Sequence, residues 1–378
     1  MNSRLEVQRN ILDFTLSSLL RRKAKNSILI LVFTLVVFML ASIIFFTNAV
    51  KREAVAVLKN SPDMVVQRLS AGRHDLIPSE YIGTIKEMKG VVSVKGRHWG
   101  YYFEPAASAN FTLVVPEDGG EDGKIVTGKG VSRTMRAGEG DILPLKSYKG
   151  EWVVLAIKGV LKSDSELVSS DLIEISEKDF RKLFGISQDS FTDIAVTVKN
   201  PKETLTIAKK IKESFPDTRP ILRSEVLRTY DSLFNWRSGL LLLIAAGAVF
   251  AFIIFAFDRA SGLSAEERRE IGILKAIGWE TSDVIAFKFW EGSVISLSSF
   301  MAGIILAYFH VFFAYAPLFE PVLKGWAVLY PEFRLVPFID PFQIATLFFL
   351  TVLPYTAATI IPSWRSAVVD PDRIMRSQ

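Results

Sequence analysis

Four stretches of this chain are almost purely apolar, and the residues between them follow quite different patterns. From Asn26 to Val50 there is no charged residue, and SILILVFTLVVFMLASIIFF is long enough to cross a bilayer. A cleavable signal peptide would have a shorter apolar core, so an anchor at 27–50 is expected. A second apolar run covers 237–258, and a third covers 284–309 with Lys288 and Glu291 in its first turns. The fourth, 341–362, contains Pro354, which membrane helices tolerate when neighbours satisfy the freed carbonyl.

Between the first two runs, residues 51–236 alternate or group in short β-rich stretches: DMVVQRL, FTLVVPE, EWVVLAIKGVL and FTDIAVTV. PSEYIGTIKEMKG and PKETLTIAKKIKESFP read as helices, each with Pro near its start. About 185 residues suffice to bury a core of their own. The pattern predicts an α+β body carrying a β-rich insertion around 100–175. Ahead of the first span, 1–26 places Leu5, Leu12, Leu16, Leu19 and Leu20 on roughly one helical face, which predicts an amphipathic helix lying on the inner leaflet.

Composition agrees with a membrane protein that also has an aqueous domain. The 378 residues are 49% hydrophobic and 22% charged, with mean hydropathy +0.28. A net charge of +5 is spread along the chain, which argues against nucleic acid as a partner. The absence of cysteine excludes disulfides, thiolate metal sites and cysteine nucleophiles.

Short flanking segments set the orientation. Arg21, Arg22, Lys23 and Lys25 precede the first span, and Arg259, Arg268, Arg269 and Lys275 lie in the 259–283 loop. The tail, 363–378, holds Arg365, Arg373 and Arg376, whereas the 310–340 loop has only Lys324 and Arg334. Both termini and the 259–283 loop are therefore expected in the cytoplasm, with 51–236 and 310–340 outside. Tyr308, Phe312, Phe313, Tyr315, Trp326 and Tyr330 cluster where an outer interface would fall. The expected fold is a membrane protein of four transmembrane α-helices, with a large α+β extracytoplasmic domain inserted between spans one and two.

The stretch ERREIGILKAIGW, Glu267 to Trp279, combines charge with signals for both ends of a helix. Ser264 and Glu267 have capping-box spacing, Gly278 suits a left-handed end, and Ser282 can cap the third span. Ile271, Leu274 and Ile277 form an apolar stripe bordered by Arg268, Arg269, Glu270 and Lys275. Gly272 stands where Ala would favour the helix more, which fits the close approach of another backbone. The stretch reads as a docking helix for a cytoplasmic partner; the plain alternative is a solvated connector.

REIGILKAIG, directly after a second span, resembles the coupling segment of MacB/FtsX-like ABC transporter permeases. PSWRSAVVDPDRIMR is similar to that family's closing motif, with matches at Pro362, Ala367, Asp370, Pro371 and Arg376. WVVLAIKGVLK and SEKDFRKLFG resemble its extracytoplasmic core, and Glu291 followed by a small residue fits its third span. Trp279 departs from the small residue usual there, and Met375 from Leu. The resemblance implies a four-span permease of the MacB or lipoprotein-release branch in a bacterial inner membrane. It implies a dimer with a second copy or a paralogue, docked to a cytoplasmic ABC ATPase and in some cases to a periplasmic partner. Arg269, Glu270, Ile271, Gly272, Leu274, Lys275, Ala276 and Gly278 would couple the ATPase to movements of the outer domain. ATP and Mg²⁺ would belong to that ATPase, leaving this chain without a cofactor, a metal or a catalytic residue.

GKIVTGKG, Gly123 to Gly130, nearly spells a phosphate-binding loop, but its final Ser or Thr is replaced by Gly130. Its glycines are expected to make turns. His74, His98 and His310 lack metal-ligand spacing. Lys288 and Glu291, three residues apart on one face, are expected to pair at the inner interface. A receptor that binds an outside ligand without any ATPase is the competing function.

Overall fold

The computed structural model describes residues 2–59, 61–161, 169–229, 265–319, 329 and 334–368, with nine isolated positions between 232 and 254. Apart from those isolated positions the expected second span, 237–258, lies outside the described residues, as does the tail beyond 368. Two compact units divide the chain.

The first unit takes 1–49, 235–316 and 336–378. Its described helices are α1 (Asn2–Arg21), α2 (Lys23–Lys59) as far as Ala49, α7 (Ala265–Ala276), α8 (Thr281–Tyr308) and α9 (Pro341–Val368), numbered in chain order with those of the second unit. Three described helices, α2, α8 and α9, are long and apolar enough to cross a membrane. Helix α2 continues nine residues past the expected end at Val50, because Lys51–Lys59 contains neither Gly nor Pro to stop it. Helix α8 starts before Val284. Glu280 caps it in a reciprocal box with Asp283, so the expected cap, Ser282, lies inside the helix. At its other end the chain adds a π-helical turn, Phe309–Phe313, which buries His310 where an outside loop was expected.

Small and hydroxyl side chains let these helices approach closely. A Cβ on Gly292 would lie 2.7 Å from Thr359 Oγ1, and one on Gly303 would lie 2.7 Å from Val37. Between them Ser296 Oγ lies 3.5 Å from Thr356 Oγ1, and Ser299 Oγ donates to the Ile30 carbonyl. Phe33 stacks on Tyr355. On the opposite sides Ile28, Leu31, Leu35, Met301, Ile305 and Phe349 stay exposed, as suits side chains in contact with lipid.

The second unit takes 50–234 together with 317–335, so part of the expected 310–340 loop belongs to this unit. One lobe is a five-stranded sheet in the order β13 (Thr218–Leu222), β1 (Met64–Ser70), β12 (Asp193–Val198), β4 (Val91–Arg97), with β2 (Arg73–Asp75) beside β1. Helices α3 (Glu80–Lys86) and α6 (Thr204–Ser214) bring Ile85, Ile207 and Ile211 against Met64, Val66, Ile194 and Val196 on one face of it. A short ribbon of β3 (Ile77–Pro78) and β11 (Ser190–Phe191) flanks it.

The other lobe is the insertion. Six strands run in the order β5 (Trp99–Glu104), β6 (Ala109–Val114), β10 (Leu172–Ile175), β7 (Lys124–Thr127), β9 (Trp152–Val160), β8 (Ile142–Lys146). Strict alternation in β8 and β9 sends Leu143, Leu145, Val153, Leu155 and Ile157 inward. Helices α4 (Lys129–Met135) and α5 (Glu177–Phe184) cover that side with Val131, Phe180 and Leu183, and Leu329 packs against the same core. Ser176 caps α5 by accepting from Asp179 N, and Gly185 ends it at φ 72°.

The two lobes meet at Arg97, His98 and Trp99. Asp193, 1% exposed, accepts two hydrogen bonds from Arg97 (2.7 and 2.8 Å) and one from Trp99 Nε1 (2.7 Å). Thr192 Oγ1 accepts from the Trp99 amide and donates to the Trp99 carbonyl. A fully hydrogen-bonded buried carboxylate of this kind fixes the crossing strand in one geometry.

Candidate functional site

Helix α7 carries the candidate site. It runs from Ala265 to Ala276 and turns into α8 through Gly278, whose φ of 104° only glycine adopts readily. The Gly278 amide donates to the Lys275 carbonyl and the Trp279 amide to that of Leu274, so the last carbonyls of the helix are satisfied.

The expected stripe divides between two sides. Ile271 and Leu274 are 4% and 5% exposed, and Ile271 packs against Val284 and Ile285 of α8 within the same unit. They are used by the chain itself. Ile277 does not join them, since it lies past the helix end at 69% exposure. The outward face consists of Arg269, Ile273, Ala276 and Ile277, with Gly272 half-buried between them. A Cβ on Gly272 would meet nothing within 4 Å, so no group among the described residues requires the glycine. Lys275 is half-buried.

Glu270 departs furthest from the expected rim of free charges. Its Oε2 accepts from Arg22 Nη2 at 2.6 Å, and its Oε1 accepts from Arg21 Nη2 at 3.1 Å and from Ser18 Oγ at 3.4 Å. All three donors lie at the α1–α2 corner. Helix α1 therefore has a protein surface to pack on, which the leaflet reading did not foresee. Ile11, Thr15 and Ser18 form its buried side, while Leu16 and Leu20 of the expected leucine face are 41% and 73% exposed. Phe14 sits between Trp279 and Phe287, with ring centroids 5.3 and 5.4 Å away, and Trp290 Nε1 donates to Gln8 Oε1 at 3.0 Å. Trp279, out of place by the motif, is the residue that receives Phe14.

Sequence reasoning missed this constellation. Arg21 and Arg22 read only as topology charges, and nothing in spacing links them to a carboxylate 248 residues away. Trp279, a large aromatic where a small residue is usual, was the available signal.

Lys288 and Glu291 pair at 2.6 Å on the inward side of α8, and Lys288 Nζ lies 5.2 Å from the Phe287 ring centre. Their side chains are 10% and 19% exposed, so each ion depends on the other.

The near-phosphate loop resolves into packing. The Gly128 amide donates to the Leu172 carbonyl and the Val131 amide to that of Ser170, so these donors are already engaged. Gly123 makes the expected turn at φ 73°, whereas Gly128 is extended and Gly130 helical. A Cβ on Gly128 would fall 1.9 Å from the Ser169 carbonyl oxygen, and one on Gly130 would fall 2.2 Å from Ser170 Oγ. Among the described residues no group of three or more His, Asp or Glu is arranged to hold a metal. His98 is buried and receives Arg181 Nη2 at 3.0 Å, and His74 meets the Thr192 carbonyl.

The FtsX-like permease C-terminal family matches residues 238–371, which contain α7, α8 and α9. An uncharacterised ABC transporter permease of Methanocaldococcus jannaschii is 25% identical over 268 residues, covering 61% of this chain and 66% of that protein. This chain thus spans just under two thirds of that relative's length. The extracellular domain of the ABC-type transporter YknZ from Gram-positive bacteria is similar at a TM-score of 0.29 and 12% identity, over 43% of this chain and 100% of that one. The periplasmic region of MacB from Actinobacillus actinomycetemcomitans gives 0.32 and 10%, over 44% and 92%.

Proposed function

This chain carries an FtsX-like permease domain at residues 238–371, and on that premise we propose that it is the membrane subunit of an ABC transporter. In this reading a separate cytoplasmic ATPase binds ATP and Mg²⁺ and docks on α7. The chain itself makes and breaks no bonds. It passes the closure of the ATPase to a globular unit on the far side of the membrane, with both termini in the cytoplasm of a bacterial cell and a second permease copy or paralogue completing the assembly. Mechanical transmission, export and lipoprotein release all use this arrangement.

The outward face of α7 is the observation that supports the reading. After Ile271 and Leu274 have been packed inside, Ile273 and Ile277 remain 53% and 69% exposed beside Gly272 and Arg269. Two exposed isoleucines, one on the helix and one just past its end, are explained by a partner that covers them. Glu270 supports a second part of the reading. It fastens this face to the start of α2, so a push on α7 is felt at the root of that helix.

The test is Ile273→Asp in the full-length permease, expressed with its ATPase. The variant should fold and insert, because Ile273 touches no core of its own chain. The ATPase should no longer co-purify, or should lose its coupled turnover in lipid discs. Unchanged docking and turnover would sink the assignment of α7.

A further inference from the structure

Each lobe of the second unit packs α3 and α6, or α4 and α5, on one face of its sheet, and the opposite faces border a common cleft that Val226 of the helical stretch 223–229 also lines. From the five-stranded sheet come Val65, Gln67 and Ile221; from the six-stranded sheet come Trp99, Thr112, Val114 and Glu174. These are the positions that alternate with the core-facing Met64, Val66, Leu113 and Ile173. The cleft encloses about 690 Å³, within the range of sites for small organic ligands.

Its charges are distributed unevenly. Arg97 is held by Asp193, and Glu117 pairs with Lys95 at 3.0 Å. Glu174 is the one lining carboxylate whose side chain has no partner among the described residues. Burial, with nearby Asp118 adding to it, pushes its carboxyl up from its ordinary value. Such a group is stabilised by an incoming positive charge.

We propose that this cleft binds a small organic cation with an apolar body, its ammonium group on Glu174 and its body between Val65, Ile221, Val114 and Trp99. The walls then bury the apolar part, and the unpaired carboxylate selects the charge. Arg97 does not repel the ligand, because Asp193 already neutralises it. Binding asks nothing of an ATPase, so it stands or falls apart from the coupling role of α7.

The experiment is calorimetric titration of the full chain in phosphatidylcholine discs without any ATPase, with empty discs subtracted. Benzylammonium, phenethylammonium and benzyltrimethylammonium are the probes, and benzyl alcohol is the neutral comparison. At least one cation should bind saturably, and the alcohol should bind at least about tenfold more weakly. Glu174→Gln keeps the shape and removes the charge, and should weaken the cation at least about tenfold without changing the alcohol. Ile221→Trp fills the cleft from the other lobe and should abolish binding while thermal unfolding stays cooperative. The proposal is overturned if none of the three cations saturates. It is equally overturned if the alcohol binds as well as the cations, or if both variants bind like the parent.

Discussion

Arg22 Nη2 stands 2.6 Å from Glu270 Oε2, across 248 residues of sequence, and Arg21 reaches the other oxygen of the same carboxylate. The contact joins the helix proposed to receive the ATPase to the residue that immediately precedes α2. With the Arg22 and Glu270 side chains 20% and 22% exposed, its energy falls between those of surface and buried pairs, about 1–2 kcal/mol. Glu270→Ala should leave the permease folded and the ATPase able to dock, but should lower coupled turnover. Exchanging the charges in Arg22→Glu with Glu270→Arg should recover part of the loss. Equal turnover in Glu270→Ala and parent would show that the clamp transmits nothing.

Asp193 should be among the costliest single losses in the globular unit. Asp193→Ala leaves the Arg97 guanidinium, itself 39% exposed, and the Trp99 N–H without their acceptor, a change worth about 1–3 kcal/mol. Asp193→Asn retains an acceptor and should cost less. Chemical denaturation of the two variants orders them, and a near-neutral Asp193→Ala would mean that the lobes are fixed by other contacts.

Much of this arrangement could be read from the sequence, and the rest could not, for identifiable reasons. EWVVLAIKGVL, expected as a β-rich stretch, alternates with period two and forms β9, and SEKDFRKLFG, noted only for its resemblance, forms α5 between the cap at Ser176 and the stop at Gly185. The stripe on α7 was misassigned, since periodicity tells that a helix has an apolar side but not whose apolar side meets it. Ile271 meets α8 and Leu274 is buried within the chain, and only Ile273 and Ile277 are left over. Gly128 and Gly130 looked like a nucleotide loop for a similar reason: a glycine marks close approach, and here the approaching backbone is residues 169–170.

The Lys288–Glu291 pair should behave as a unit. Lys288→Met alone leaves a carboxylate 19% exposed without its cation, and Glu291→Gln alone leaves the ammonium; each should cost about 2–3 kcal/mol of folded yield in membranes. The double variant should lose less than either single. Strictly additive losses would show that the two side chains do not depend on each other.

Acid should loosen the lobe junction through His98. Burial, then the facing Arg181 guanidinium, holds its pKa below the ordinary 6.5, against a smaller opposite pull from Glu177. The unfolded chain therefore takes up a proton at a pH where the folded chain resists it. Its contribution is full above pH 6.5 and is lost as pH falls from there through the depressed folded value. Thermal unfolding followed from about pH 7.5 to about pH 5 should show a decline that is shallower in His98→Gln. Parallel declines in the two proteins would remove His98 as the cause.

Gly272 separates the needs of the chain from those of the proposed ATPase partner. Within this chain the position is open, so Gly272→Ala should make α7 more stable by about 1 kcal/mol through helix propensity alone. In a helix whose neighbours Ile273 and Ala276 face outward, such a glycine would admit the backbone of the ATPase proposed to dock there. Gly272→Ala is therefore expected to be neutral or stabilising in the isolated permease and harmful in the complex. Gly272→Leu should show the same opposition more strongly, with weaker ATPase co-purification and unchanged detergent stability. Hydrogen exchange on α7 with and without the ATPase reads the contact directly, because protection at Gly272, Ile273 and Ala276 should appear only in the complex. If both variants run the complex at the parent's rate and α7 gains no protection, the helix is a solvated connector.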